Sequence, residues 1–594
     1  MLILINTRKK SIMPSFIFIM FMLFIAIIRA NAGNIAVPGD LVSDAPTIHS
    51  LGFRWLLQGD DNGNTRVETA YRKKGDEVWH EALPMLRVHG EKVDRQVKPY
   101  TCAEVLAGSV MNLTPDTAYE MRLSLNDPDG ASAVKIVAAR TRPVPAMLSG
   151  DRQLYIYPVD YVGEKLSPAY KDLTTAAQTA RPGDVVILHA GTYKGAVKFS
   201  VSGETNRPIT FRGEPGAVID GENTSGNIID AQGLHDIRFE NLTIRNGRMA
   251  LKVNNTSRLV VRGCTIEDVE YGVISYSVSQ SGWFVTDNVI TGRLKQWYPR
   301  KDSSWTGINC PGMGHDICYN RVSQFWDCIS TDNVGLPSTD WESSEHPAQM
   351  CIDIYNNDIS EAMDDGIEAD TLLHNCRVMN NRIINVHSGI SAQPSLGGPL
   401  YFIRNILYNV SNTPYKLHNY SAGIYLLHNT SCLAGQAFTS NPPYIQNSTI
   451  RNNLILGGSG YSLETGTDDY RTTLDYDGWG LTGNENVLKW TNDGGINWGR
   501  FPSPAAMSKA MGQEAHGILV DLSIFKKVFF PVDGQTYRAD AVDFNLQPGS
   551  NAIDAGVIIA NINDGYTGAA PDIGALEKDA PRIQYGPRGI REKR

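Results

Sequence analysis

Charge is scarce in this chain. Of 594 residues only 20% are charged, and the balance is acidic, with a formal net charge of −9. That excludes the strongly basic surface by which proteins hold nucleic acid, although a local cleft can still be basic. Closely paired cysteines are missing too. The eight cysteines stand at 102, 264, 310, 318, 328, 351, 376 and 432, and no two have the CxxC spacing of a zinc site. Long apolar runs are absent but for one, residues 16–28, which follows Arg8, Lys9 and Lys10 and precedes Ala30-Asn31-Ala32. This reads as a secretory signal peptide over residues 1–32, with cleavage after Ala32. No later stretch is apolar enough to span a bilayer. The expectation is a secreted or periplasmic monomer with no membrane association once the signal is removed. In an oxidising compartment the cysteines permit disulfides, Cys310 and Cys318 being placed to close a loop, and buried free thiols are the other reading.

What the chain does contain is short apolar strands separated by turn residues, which points to an all-β fold. Residues 33–146 alternate apolar and polar positions, with Phe53 and Trp55 in one strand and Tyr71 in the next. The spacing predicts a small β-sandwich. Leu113-Thr-Pro-Asp-Thr-Ala-Tyr119 resembles the tyrosine corner of fibronectin type III domains, where the phenol hydrogen-bonds backbone at an inter-sheet connection. Such a domain is expected to be a spacer or accessory without catalytic residues, and Pro143 and Pro145 mark a linker after it.

Residues 170–180 read as one amphipathic helix with Leu173, Ala176 and Ala177 on a common face. The passage after it, Arg181-Pro-Gly-Asp-Val-Val-Ile-Leu and then Pro208-Ile-Thr-Phe-Arg-Gly213, resembles the N-terminal cap and first coils of right-handed parallel β-helix proteins. Periodicity supports a solenoid independently. Asparagines stand at 357, 381, 405, 429 and 453, each 24 residues after the last. A fixed period in that range marks stacked coils, and stacked asparagines form an amide ladder. The β-helix is expected over residues 147–480, and a C-terminal capping segment over 481–594. That segment includes a short helix at 503–512, closing motifs at 547–556 and 571–577, and a disordered basic tail from 588. Insertions between Ile290 and Cys351 carry Trp297, Tyr298, Arg300, Lys301, Trp305, Trp341 and His346, residue types suited to an acidic sugar chain.

The densest chemistry lies in residues 361–370, Glu-Ala-Met-Asp-Asp-Gly-Ile-Glu-Ala-Asp, which hold five carboxylates. Like charges this close repel unless a cation, proton or substrate sits among them. Stacking the coils by their Gly-Ile strand starts places Asp327 beside Asp365, Asp332 beside Asp370, and Glu368, Ser391 and Lys416 in one column. Adjacent coils lie about 4.8 Å apart, so Lys416 is roughly 10 Å from Glu368 along the stack.

Asp364-Asp365-Gly366-Ile367-Glu368 with a downstream Tyr415-Lys416-Leu417 resembles the calcium cluster and catalytic lysine of β-helical pectate lyases, most closely polysaccharide lyase family 9. The resemblance implies Ca²⁺ on Asp327, Asp364, Asp365 and Glu368, and Lys416 as Brønsted base, its pKa lowered by the nearby cation. It departs from the family at Glu368, where aspartate is the pattern, and at His418-Asn419 after the lysine. The implied reaction is β-elimination on an acidic, uronate-containing polysaccharide. Asp332, Asp370, His387, Arg404 and His418 lie on the same coils as candidate substrate-binding residues, and His428 with them. Three other readings fit the same fold: a polygalacturonase-like hydrolase using Asp332, Asp364 and Asp365, a uronate C5-epimerase, and a non-catalytic polysaccharide-binding solenoid.

Overall fold

The computed structural model describes residues 33–589 except 96–97, 333–348, 443, 481–482 and 484–485. Residues 1–32, read above as a signal peptide, Trp341, His346 and the tail from 590 lie outside the described residues. No helix among the described residues is long and apolar enough to cross a membrane.

Seven N-terminal strands form an antiparallel sheet. Its order is Val37–Ser43, Leu51–Gln58, Val105–Val110, His80–Val88, Arg66–Lys73, Ala118–Asn126, Ser132–Arg140. Burial alternates strictly along Ala118–Asn126, as a half-buried strand requires. The two halves of this sheet are joined through a single strand, His80–Val88. His80–Val88 pairs Leu86, Arg87 and Val88 with one neighbouring strand and His80, Glu81, Ala82 and Met85 with the other. Residues from both sides of that strand, including Phe53, Trp55, Val67, Leu106, Met121 and Leu123, share one core. The Tyr119 hydroxyl accepts the Thr114 N–H at 2.9 Å, the bond anticipated for that corner.

This module is no loose spacer. Its Ile48, Leu86, Val88, Val105 and Met111 pack with Phe284, Tyr355, Leu373 and Tyr401 of the solenoid. Beneath them Asp316, Asp353 and Arg377 stack in register on the solenoid face, all fully buried. Arg377 pairs with Asp353 and donates to Ser109 at 2.8 Å, Thr47 donates to Asp353 at 2.6 Å, and Arg142 pairs with Asp316. Buried charges are costly unless paired and hydrogen-bonded, so these contacts fix the module against the coils.

Helix Leu173–Thr179 starts at Asp172, whose side chain accepts the Thr175 N–H at 2.7 Å, and buries Leu173, Ala176 and Ala177. These join the solenoid core with Ile156, Val186 and Phe199, so the helix covers the start of the stack.

The coils form a parallel β-helix. One face is a 13-stranded parallel sheet from Arg152–Ile156 to Thr473–Asp475. A second face runs beside it, and long strands such as Asp358–Glu368, Arg382–Ala392 and Ile406–Leu417 bend through a register shift onto a third face. The asparagine ladder is present and longer than the period-24 run. Each amide donates to the next Oδ1 from Asn288 through Asn320, Asn357, Asn381, Asn405, Asn429 and Asn453, at 2.9–3.0 Å up to Asn453. Asp477 ends it, accepting the Asn453 N–H and amide at 2.7 and 2.8 Å. An aspartate suits the last rung, because it accepts without needing a further acceptor.

All eight cysteines are free and buried, including Cys310 and Cys318, so the loop-closing disulfide is not formed. They behave as small apolar core residues. Helix Pro504–Met511 is capped by Ser503 and Gly512, and its Met507 joins Trp479, Trp490 and Phe501 in the core. Beyond it, Ile518–Val520 adds a last parallel rung on Gly478–Gly480. Phe525, Phe544, Ala552, Ile573 and Ala575 pack on Ile384, Ile406, Tyr408 and Leu454, so the chain returns as a strap along the flank. Arg588, expected in a disordered tail, pairs with Asp287 at 2.7 Å and lies 4.2 Å from the Tyr319 ring centroid.

Candidate active site

Strand Asp358–Glu368 carries the acidic stretch from the second face onto the third. Gly366 follows the bend between Ala362 and Asp365, and a Cβ there would stand 2.6 Å from Ile383 Cγ2 and 2.9 Å from the Gly389 carbonyl. No side chain fits there, and the absence of one lets Asp365 and Glu368 take their places beside the neighbouring coils. The register is Ser330 to Glu368 to Ser391 to Lys416, one residue from each of four coils.

Asp327, Asp365 and Glu368 each present a carboxylate oxygen, and the three lie within 4.8 Å of one another. The Asp365 N–H donates to Asp327 Oδ1 at 3.1 Å, and the Ser330 hydroxyl donates to Glu368 Oε2 at 2.6 Å. Lys416 Nζ donates to Asp365 Oδ2 at 2.9 Å. Asp365 Oδ1 is buried with no hydrogen-bond partner. Three ionised carboxylates against one ammonium leave an excess of negative charge in a buried place. A proton or a cation is needed to balance it.

The acidities register that strain. Burial, opposed by Lys416 and aided by Asp364, pushes Asp365 up to about 6. Burial with the neighbouring carboxylates raises Asp327 and Glu368 well above the usual carboxylate range. Asp370, again through burial first, rises to about 7. Burial pulls the Lys416 ammonium down, yet Asp365, Asp370 and Asp364 together outweigh it and hold the group above its ordinary value. This runs opposite to the lowered lysine expected beside a cation, because here the carboxylates face Lys416 directly.

The other candidates divide into near and far. Asp370 accepts the Ser391 hydroxyl at 2.6 Å and the Gln393 N–H at 2.7 Å, and the Asp332 N–H donates to Ser330 Oγ at 3.0 Å. His387 is bonded to Ser411 Oγ at 3.1 Å, and burial lowers it, with Asp364, Arg300 and Lys416 as its charged neighbours. His418 is lowered to about 4 by burial and then by Lys416. Asp364 stands outside the triad: Arg300, from the 293–305 insertion, pairs with it at 2.8 Å and lies 4.6 Å from the Trp326 ring centroid. Glu361 accepts from Gln324 at the turn.

Arg404 is not at this site. It sits under the strap, donates to the Ala575 carbonyl at 3.2 Å, and lines a separate cavity of about 640 Å³ with Tyr408, Phe544, Glu577 and Tyr585. His428 is likewise under the strap, bonded to Asn452 and Asn563. Both follow a first-face strand at turns that the strap covers. Ser330 was not named from sequence, and Arg300 was read only as one of the insertion's sugar-binding residue types, with no place assigned beside Asp364. Ser330 follows from the same coil register, whereas Arg300 carries no positional signal.

The residues fit a divalent metal. Calcium–oxygen distances of about 2.3–2.6 Å put two ligand oxygens on one ion at most about 5 Å apart, which the triad satisfies. An all-oxygen donor set with an orphaned buried acceptor suits a hard cation.

No protein-family model matches the chain, and no curated protein matches it. Among solved structures, the catalytic domain of a GH87 α-1,3-glucanase in complex with nigerose is similar at a TM-score of 0.26 and 10% identity, over 74% of this chain and 87% of its own. A variant of such a domain in complex with tetrasaccharides gives 0.24 and 9%, over 70% and 94%. At this level the likeness carries no information about chemistry.

Proposed function

We propose that the protein is an exported polysaccharide lyase that cleaves an acidic, uronate-containing polysaccharide by β-elimination. Lys416 is its base, and Asp327, Asp365 and Glu368 hold a calcium ion. One observation carries the reading: Lys416 Nζ bonds one oxygen of Asp365, while the other oxygen is buried without a partner in a triad of carboxylates. When bound, the ion would neutralise a substrate carboxylate and acidify the proton α to it.

The chain's own groups do the rest. With the triad's charge offset, burial is the dominant influence on Lys416 and favours its neutral amine. The amine takes the α proton, the electron pair becomes the new C=C bond, the bond from the β carbon to the glycosidic oxygen breaks, and that oxygen takes a proton from water. Arg300, partly exposed beside Asp364 on the Trp326 ring, is placed to hold a sugar carboxylate. His387 and His418, both disfavoured as cations by burial, flank the base. The apolar segment 16–28 supports export to the periplasm or beyond.

The test is incubation with a panel of uronate polysaccharides while ultraviolet absorbance of the unsaturated product is followed, with and without chelator. Calcium-dependent absorbance is expected. A second reading, glycoside hydrolysis with Asp365 or Asp370 as general acid, is favoured by burial, which raises the pKa of those two carboxyls and keeps them protonated nearer neutral pH. Reducing ends released without absorbance would select it.

A further inference from the structure

The third-face column does not begin at the acidic triad. Hydrogen-bonded pairing runs without a break from Asp230 to Lys252, Ile274, Asn309, Ser330, Glu368, Ser391 and Lys416. Lys252 therefore stands four rungs from Glu368 on the same face, about 19 Å along the axis at the usual strand spacing.

Lys252 is an anomaly on physical grounds. It is only 9% exposed, yet it forms no ion pair among the described residues. Its Nζ lies 3.8 Å from the centroid of the Tyr276 ring. The adjacent carboxylate, Asp230, is held by its own turn, accepting from Gln232 and Asn227. Burial brings the Lys252 ammonium down to about 8, with Asp230 opposing and Arg248 assisting. An ammonium held this far from open water is ordinarily paired, because its partial desolvation is otherwise uncompensated.

Its surroundings are equally specific. Met249, Tyr271 and Ile274 form an apolar floor outside the main core, flanked by Tyr276 and Trp305. Arg248 lies over Tyr271 at 5.2 Å. Aromatic rings beside a cation without a counter-ion suit a ligand with an apolar sugar face and an anionic substituent.

We propose that Lys252 and Tyr276 form a distal subsite that binds a carboxylate-bearing sugar of the same polysaccharide chain engaged at Asp327, Asp365 and Glu368. The chain then lies along the solenoid axis, and the protein grips long polymers better than short ones. This rests on the acidic-polysaccharide reading above, though not on the elimination step.

The test compares wild type with Lys252→Met and Tyr276→Ala, each checked for an unchanged thermal melt. Affinity electrophoresis in polygalacturonate and alginate gels measures binding without turnover, and kinetics on size-fractionated uronate oligomers measures its consequence. Lys252→Met is expected to weaken polymer binding and raise KM for long oligomers roughly tenfold, the worth of about one charge-assisted hydrogen bond. The kcat and the KM for short oligomers stay as they were, and Lys252→Arg restores the long-oligomer KM. Polyuronate binding that Lys252→Met leaves intact overturns the subsite. Binding that depends on Lys252 without any elimination product overturns the lyase reading and leaves the subsite standing. Absence of binding to either polyuronate overturns both.

Discussion

Lys416 Nζ and Asp365 Oδ2 lie 2.9 Å apart although 51 residues separate them in the chain. They meet because Lys416 stands two coils beyond the strand that carries Asp365. The ammonium is thus the nearest counter-charge to a carboxylate triad that exceeds it in charge.

Replacing Lys416 with methionine removes the base while keeping the stem's apolar packing. Turnover is expected to fall by about 10²–10⁴-fold, the usual worth of positioned proton transfer. Absorbance assays on the responsive polysaccharide check this, and a rate near wild type would eliminate Lys416 as base.

Calcium is expected to raise the melting temperature. At a hundredfold excess over its dissociation constant a ligand adds about 2.7 kcal/mol to folding stability. Thermal scans with calcium and then chelator measure the effect, and Asp365→Asn should lose most of it. A melt indifferent to calcium in wild type argues against a cation at the triad.

Asp477 and Glu514 give a pH dependence remote from that triad. Burial lifts Asp477 to about 7 and, with Asp477 beside it, raises Glu514 well above its normal range. The folded state therefore keeps protons that the unfolded chain has released. This contribution is fully present below about pH 4 and is lost as pH rises through about 7, on the order of a few kcal/mol. Melting temperature followed from acid to pH 8 should show the decline. Asp477→Asn should flatten it, since an amide can donate to Glu514.

Asn405→Ala interrupts the ladder at its middle. Asn381 loses the acceptor for its N–H and one amide hydrogen, and the Val378 carbonyl loses its donor. Buried groups left without partners should lower stability by about 3 kcal/mol, read from urea unfolding.

The solenoid and the site column were legible because parallel in-register stacking turns sequence spacing into neighbours. Asparagines 24 residues apart must meet if each coil is that long, and the same rule sets Asp327 beside Asp365 and Lys416 above Ser391. The two earlier ladder residues, Asn288 and Asn320, fall outside the 24-residue period because insertions lengthen their coils while leaving the stacking unchanged. The N-terminal strands were readable from alternation, but the way His80–Val88 joins their two halves was not, since alternation names faces and not partners.

Sequence alone thus determined the β-helical repeat and which carboxylates share a column with Lys416. Tertiary structure decided which of those groups are left to act. Arg300, arriving on an insertion, neutralises Asp364, and the strap covers Arg404 and His428. The N-terminal module buries Asp316, Asp353 and Arg377, while Lys252 has no counter-ion among the described residues. The reason is physical. Contacts within the stack are fixed by a constant rise per coil, whereas insertions, strap and module obey no period. Where they settle depends on the apolar and charged surfaces they bury, and those surfaces exist only once the coils have formed.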